Sequence, residues 1–253
     1  MKKLIVPITI FIICLILLVF SGINLIFWYI DNKDINSEVN LVQSITPVKV
    51  ITVTDDTQSD AQEEQYISAD LSEIKKLNSE VKGWINIPNT NVNYPYAQHK
   101  NNSYYLNHSF DKSKNNAGWI FMDYRNNSTE FDKNTIIYGH NRLDGSMFGS
   151  LNNLTKKDYL NDTTEHYIYI STDKYNYVFE IFSIYRIETT DDYLQTVFED
   201  DEFTEWLKMI KKRSMYDFKI DLTENDKIIT LSTCYKHVKK LVVHGKLIRE
   251  QLK

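Results

Sequence analysis

Cysteine is nearly absent from this chain, which has two in 253 residues. Cys14 lies inside an apolar N-terminal run and cannot pair with Cys234, so a disulfide-stapled fold is excluded and a hydrophobic core must carry stability. Glycine and proline are scarce as well, at 7 and 4, which excludes the usual low-complexity spacers. Basic residues are not in excess. Lys and Arg total 29 against 34 Asp and Glu, and the net charge of −5 argues against nucleic acid as the main partner.

What is present divides into 1–30, 31–65 and 66–253. Leu4 to Ile30 is apolar apart from Pro7, Thr9, Ser21, Gly22 and Asn24. As a helix it would be about 40 Å long, enough to cross a hydrocarbon layer of about 30 Å with some tilt. It exceeds the length of a signal-peptide apolar core, and no small-x-small cleavage site follows it. It reads as an uncleaved single-pass anchor in the cell membrane, with a cleaved signal peptide as the alternative. Lys2 and Lys3 put the N-terminus in the cytoplasm and the remainder outside, and Trp28 and Tyr29 suit the outer interface. Residues 31–65 are polar and acidic and read as an extracytoplasmic linker, with a short strand over 48–53.

The rest is strand-rich, consistent with 17 tyrosines. Ser68 or Asp70 caps a predicted helix that runs to about Val81 and ends at Gly83. Short strands follow at 84–87, 92–96, 117–122 and 135–140, with a turn or short helix at 104–106 and a helix over 147–154. Residues 166–171 and 175–187 form a predicted hairpin. The apolar spacing over 192–212 predicts a helix whose basic C-terminal end is solvated. Strands over 226–233 and 240–248 bring the total to about eight, which suits a closed barrel.

Two strand ends carry reactive groups. Cys234 ends the run Ile228-Ile229-Thr230-Leu231-Ser232-Thr233, just before a short polar loop. A rigid strand end beside a loop holds a group steady while a substrate reaches it. A buried, idle thiol fits that position equally well. His140 ends a second apolar strand, and a thiol needs a proton-carrying partner, because a free cysteine is only a few per cent thiolate at neutral pH.

Ile137-Tyr138-Gly139-His140-Asn141 with Asp144-Gly145-Ser146-Met147-Phe148, then Thr230-Leu231-Ser232-Thr233-Cys234 and Leu241-Val242-Val243-His244-Gly245-Lys246-Leu247, resemble a class B sortase. Gly83-Trp84-Ile85-Asn86-Ile87, Asn93-Tyr94-Pro95, Tyr104-Tyr105-Leu106 and Asp123-Tyr124-Arg125-Asn126 match as well, in the same order. The resemblance implies a mainly β fold: an eight-stranded sortase barrel with an N-terminal helical addition and a long helix before the cysteine strand. It implies a cysteine transpeptidase of a Gram-positive-type cell surface. Such an enzyme cleaves a C-terminal sorting-motif peptide of surface proteins through a thioester and joins them to a peptidoglycan precursor or other cell-wall amine, without a cofactor.

By the same resemblance Cys234 is the nucleophile, His140 the proton carrier, and Tyr138, Ser232 and Thr233 line the peptide groove, with Asn102 and Tyr104 as weaker candidates. The family's arginine, just before the Val-Val run, is here Lys240. Lysine keeps the charge but lacks the planar fork that bonds two oxygens at once. Lys240 serves alone, or Arg142 takes the role, or the protein is a weak or inactive surface-binding relative. A pilin-polymerising sortase is a further alternative. A metal site from Cys234, His237, His244 and His140 is a rival that lacks a second tight ligand pair. An L,D-transpeptidase would show a Ser-x-Gly-Cys setting, which is missing.

Overall fold

The computed structural model describes residues 2–55, 62–161, 166–188, 190–234 and 239–253. The elements run α1 (Lys2–Ile45), β1 (Val48–Asp55), β2 (Gln62–Ala69), α2 (Ser72–Leu77), β3 (Val81–Asn86) and β4 (Asn93–Ala97). A 3-10 turn at Tyr104–Leu106 precedes β5 (Phe121–Met122) and β6 (Asn134–His140). A 3-10 segment at Gly149–Thr155 leads to α3 (Lys157–Asn161), β7 (Tyr167–Ser171), β8 (Tyr175–Glu188), α4 (Glu202–Arg213), β9 (Ile228–Cys234) and β10 (Lys239–Leu252). Eight of these strands close a barrel in the order β10-β8-β7-β3-β4-β5-β6-β9, and β1 and β2 form a separate antiparallel pair. The expected eight-stranded, mainly β architecture is what the chain adopts.

The barrel is filled by alternate residues of its strands. Ile85, Ile137, Ile170, Phe179, Leu231 and Val243 are buried in one core. The opposite faces of β8, β9 and β10 carry Phe182, Tyr185, Ile228 and Val242, covered by Phe203, Trp206, Leu207 and Ile210 of α4. The period of two along a strand creates both layers, and α4 presents its apolar stripe to the outer one. Burying side chains of this size contributes roughly 1.5–3 kcal/mol each.

Several sequence expectations change. The segment expected to be a polar linker is helical to Ile45, because Ile35 and Val42, one helical face apart, are buried against the barrel. Polar contacts reinforce that docking: Asn115 Nδ2 donates to the Asp31 carbonyl, Asn116 Nδ2 to the Asp31 carboxylate, and Gln43 Nε2 to the Asn93 carbonyl. Burial, then the neighbouring Asp111, pushes Glu38 up to about 7 in this interface. Residues 56–61 of the linker lie outside the described residues.

The helix expected to reach Val81 stops at Leu77, since Asn78 turns extended and spends its amide on Tyr105 Oη and the Phe110 carbonyl. Gly83 lies inside β3 instead of ending a helix, and any Cβ there would strike the Tyr96 ring. The helix expected over 192–212 begins only at Glu202: Asp192 is held by Arg213 at 2.6 Å and its carbonyl by Trp206 Nε1, which fixes the preceding segment as an irregular strap. Of the strand expected over 117–122 only Phe121–Met122 pairs as one, and the helix expected over 147–154 is a 3-10 segment.

His244, one of the metal candidates, sits fully buried between α4 and the sheet. Thr230 Oγ1 donates to Asn134 Oδ1 at 2.6 Å, so it accepts from His244 Nδ1 at 2.9 Å, and Nε2 accepts from Tyr185 Oη at 2.9 Å. Both nitrogens are used, which overturns the ligand reading. Burial, then the Arg213 charge, pushes this imidazole down to about 3 from an ordinary 6.5. The unfolded chain therefore takes up a proton that the folded one refuses, and stability falls as pH drops from about 6.5 towards about 3. Between pH 7 and 5 this group is expected to cost about 2 kcal/mol of unfolding free energy. A His244→Gln variant followed by urea denaturation in detergent should lose that component, and an unchanged pH dependence would count against the assignment.

Candidate active site

The parallel pairing of β6 with β9 is what assembles the site. Its register runs Ile137 to Leu231, Tyr138 to Ser232, Gly139 to Thr233 and His140 to Cys234. The two strands end together, so the two residues singled out for their chemistry occupy partner positions although 94 apart in sequence. On the other side of β9, Ser232 is the partner of Val242 in β10. Carried two residues further, that register sets position 240 across from position 234, on the face defined by the two-residue repeat. Lys240 is half-buried there.

His140 is held by main-chain chemistry. Its Nε2 lies 2.7 Å from the Leu106 carbonyl oxygen. A carbonyl only accepts, so Nε2 carries the proton, and in the neutral ring Nδ1 bears the lone pair. Gly118 lies against the same imidazole. It has φ +62°, and a Cβ there would fall 2.7 Å from His140 Cδ2 and 2.5 Å from the Tyr105 carbonyl.

The wall beside this pair is tied by one carboxylate. Asp123 is fully buried and accepts from Arg125 Nε at 2.9 Å and Nη2 at 2.7 Å, from Tyr138 Oη at 2.9 Å and from Asn102 Nδ2 at 2.9 Å. Burial opposes its ionisation, but the hydrogen bonds from Arg125 and Tyr138 outweigh that and hold the carboxyl below the usual range. Arg125 also donates to the Leu194 carbonyl at 3.0 Å, and Tyr193 Oη meets Ser232 Oγ at 2.9 Å. Asp123, Arg125 and Tyr193 carry this wall and were not singled out from the sequence as site residues. The Asp123-Tyr124-Arg125 run was the available signal, since an acid and a base two residues apart at a strand end can pair.

The other expected residues fall as follows. Tyr138 is buried behind the wall on Asp123. Ser232 and Thr233 are fully buried, and Thr233 Oγ1 accepts from the Leu241 amide at 2.9 Å. Both therefore brace the strand end from within the sheet. Asn102 is bound to Asp123, and Tyr104 stacks between two imidazoles. Arg142 is committed to its own loop, with Nε on Ser146 Oγ at 2.9 Å and Nη2 on Asp144 at 3.2 Å, which weighs against its standing in for the family arginine. His237, the remaining metal candidate, lies outside the described residues.

A closed barrel whose parallel pair ends in a histidine and a cysteine sets a thiol beside an imidazole, an arrangement suited to acyl transfer. The sortase domain family matches residues 85–248, and the chain belongs to that family. A Listeria monocytogenes sortase B is 41% identical over 184 residues, covering 71% of this chain and 74% of its own. The crystal structure of sortase B from B. anthracis in complex with AAEK1 superposes with a TM-score of 0.70 at 31% identity, over 88% of this chain and 99% of that one. A Staphylococcus aureus sortase B–substrate complex gives 0.66 at 34% identity, over 71% and 84%. Within the family the chain is a class B sortase, a cysteine transpeptidase.

Gly118→Ala should displace the His140 ring and strain the backbone together. A loss of roughly 100-fold in peptide-cleavage kcat/KM is expected, with near-native circular dichroism. Wild-type cleavage in that variant would show that the imidazole contact is not needed.

Proposed function

We propose that this protein is a membrane-anchored enzyme that cuts a C-terminal sorting motif of surface proteins, after its Thr, and joins the new end to a cell-wall amine. The observation that carries the reading is the register pairing of His140 with Cys234. His140 takes the Cys234 thiol proton, the thiolate attacks the scissile carbonyl carbon, the C–N bond breaks, and the leaving amine takes that proton from His140. An incoming amine then attacks the thioester, gives its proton back through His140, and the thiolate leaves. Both steps pass through an oxyanion, and Lys240 supplies the cation that stabilises it. Asp123, Tyr138, Ser232 and Thr233 keep the wall of the peptide groove in place.

The first part of α1, exposed and apolar over residues 7–30, spans the membrane in this reading, with the catalytic domain outside. Residues 31–45 then act as a docked strut in place of a flexible stalk. Support for a substrate bound on this fold comes from the S. aureus sortase B–substrate complex. Wall anchoring is favoured over pilus assembly. A weak or inactive relative is the second reading, and the observation behind it is the lysine at position 240.

The test uses the full chain in detergent with a panel of quenched fluorescent sorting peptides, and mass spectrometry for a thioester on Cys234. Cleavage with a trapped adduct, both lost in Cys234→Ala, is the expected result, and cleavage that survives Cys234→Ala would sink the mechanism. Lys240→Arg should match or exceed wild type, and Lys240→Ala should fall by roughly 100-fold, the cost of one oxyanion donor. A wild-type rate in Lys240→Ala would move that role elsewhere.

A further inference from the structure

Tyr104 lies with its ring between two imidazoles. Its centroid is 4.1 Å from that of His99 at an interplanar angle of 21°, and 4.0 Å from that of His108 at 8°. Each imidazole is fixed by an acceptor. His99 Nδ1 donates to Glu80 Oε1 at 3.0 Å, and His108 Nδ1 donates to the Tyr104 carbonyl at 2.8 Å. Tyr105 Oη donates to the second Glu80 oxygen at 2.7 Å, so one carboxylate holds both His99 and the residue after Tyr104. Asn101 Oδ1 accepts from the amides of Ser103 and Tyr104, both at 2.9 Å. All of these contacts converge on the three-residue turn Tyr104–Leu106, which is too short to hold its own shape. The Tyr104 hydroxyl takes part in none of the hydrogen bonds the structure describes.

The last residue of that turn is Leu106, whose carbonyl accepts the hydrogen bond from His140 Nε2–H. We infer that Tyr104 is a positioning residue: its stack with His99 and His108 fixes the Leu106 carbonyl, and through it the tautomer and ring orientation of His140. The inference rests on His140 as the proton carrier of the proposed reaction. A carbonyl bonded to one ring nitrogen decides which nitrogen carries the proton, so a loosened turn would let the imidazole occupy both tautomers. The stack acts through ring faces alone, because an aromatic pair needs area and geometry and no hydroxyl. Phenylalanine should therefore replace Tyr104 without loss, whereas an aliphatic side chain of similar bulk should not.

The experiment is nitrogen NMR on the full chain in detergent, labelled with ¹⁵N-histidine. The His140 resonances are assigned by their loss in His140→Gln, and the buried His244 signals serve as an internal marker of the fold. In wild type and in Tyr104→Phe a single Nε2-protonated signature is expected for His140. In Tyr104→Ala that signature should give way to averaged shifts, with His244 unmoved. If Tyr104→Ala loses the His244 signals as well, Tyr104→Leu fills the space without an aromatic face and is read in the same way. An unchanged His140 signature in the folded Ala or Leu variant would overturn the inference, and so would a Phe variant that shifts as far as Ala. No peptide cleavage enters the readout, so failure of the transpeptidase reading would be a separate result.

Discussion

The parallel pairing of β6 with β9 is the constraint on which the rest of this structure depends. Two strands from distant parts of the chain run side by side and end at the same level, and their last partners are His140 and Cys234. Register in a sheet is all or none: a slip of one residue sends every side chain to the opposite face. Here a slip would also push Ile137 and Leu231 out of the core, so the hydrophobic pattern that closes the barrel fixes the alignment of the reactive positions as well. The two layers of apolar packing, one inside the barrel and one under α4, hold that alignment from both sides.

Around the strand ends, polar groups are satisfied almost wholly within the protein. Asp123 gathers donors from β6, from the stretch after β5 and from the turn before Tyr104, and so links three separate segments at one buried carboxylate. His140 is bonded to a main-chain carbonyl and packed on a glycine. Preorganisation of this kind suits a reaction whose charged intermediate needs donors already in place. Lys240 stands where the resemblance places an arginine, and the loop that carries Arg142 offers no ready substitute, since that guanidinium is bound to Asp144 and Ser146.

Much of this was legible in the sequence. Strands such as 135–140 and 228–234 announce themselves because β-branched residues crowd a short run, and their polar ends mark the Cys and the His. The hairpin of β7 and β8 was legible for the same reason. The docked part of α1 was not, because Ile35, Val39, Val42 and Ile45 are spaced through a polar stretch, and so short an apolar stripe does not reveal what it packs on. The strap over 192–201 reads as helical by spacing, yet Tyr193 is pulled to Ser232 and Asp192 to Arg213, tertiary contacts that override local preference. Ser232 and Thr233 are groove residues by resemblance to the family, and the sequence alone does not show how deeply they lie. Their burial follows from having neighbours on both sides of β9, which no single stretch of sequence displays.

In the proposed reaction, strand register couples the Cys234 thiol to the His140 imidazole. The most direct measurement is the rate of iodoacetamide alkylation of Cys234 across pH, in the full chain with Cys14→Ser so that one thiol remains, with and without His140→Ala. The account predicts that removing the imidazole changes the pH dependence of alkylation, because the thiolate loses its partner. Superimposable profiles for the two proteins would contradict it.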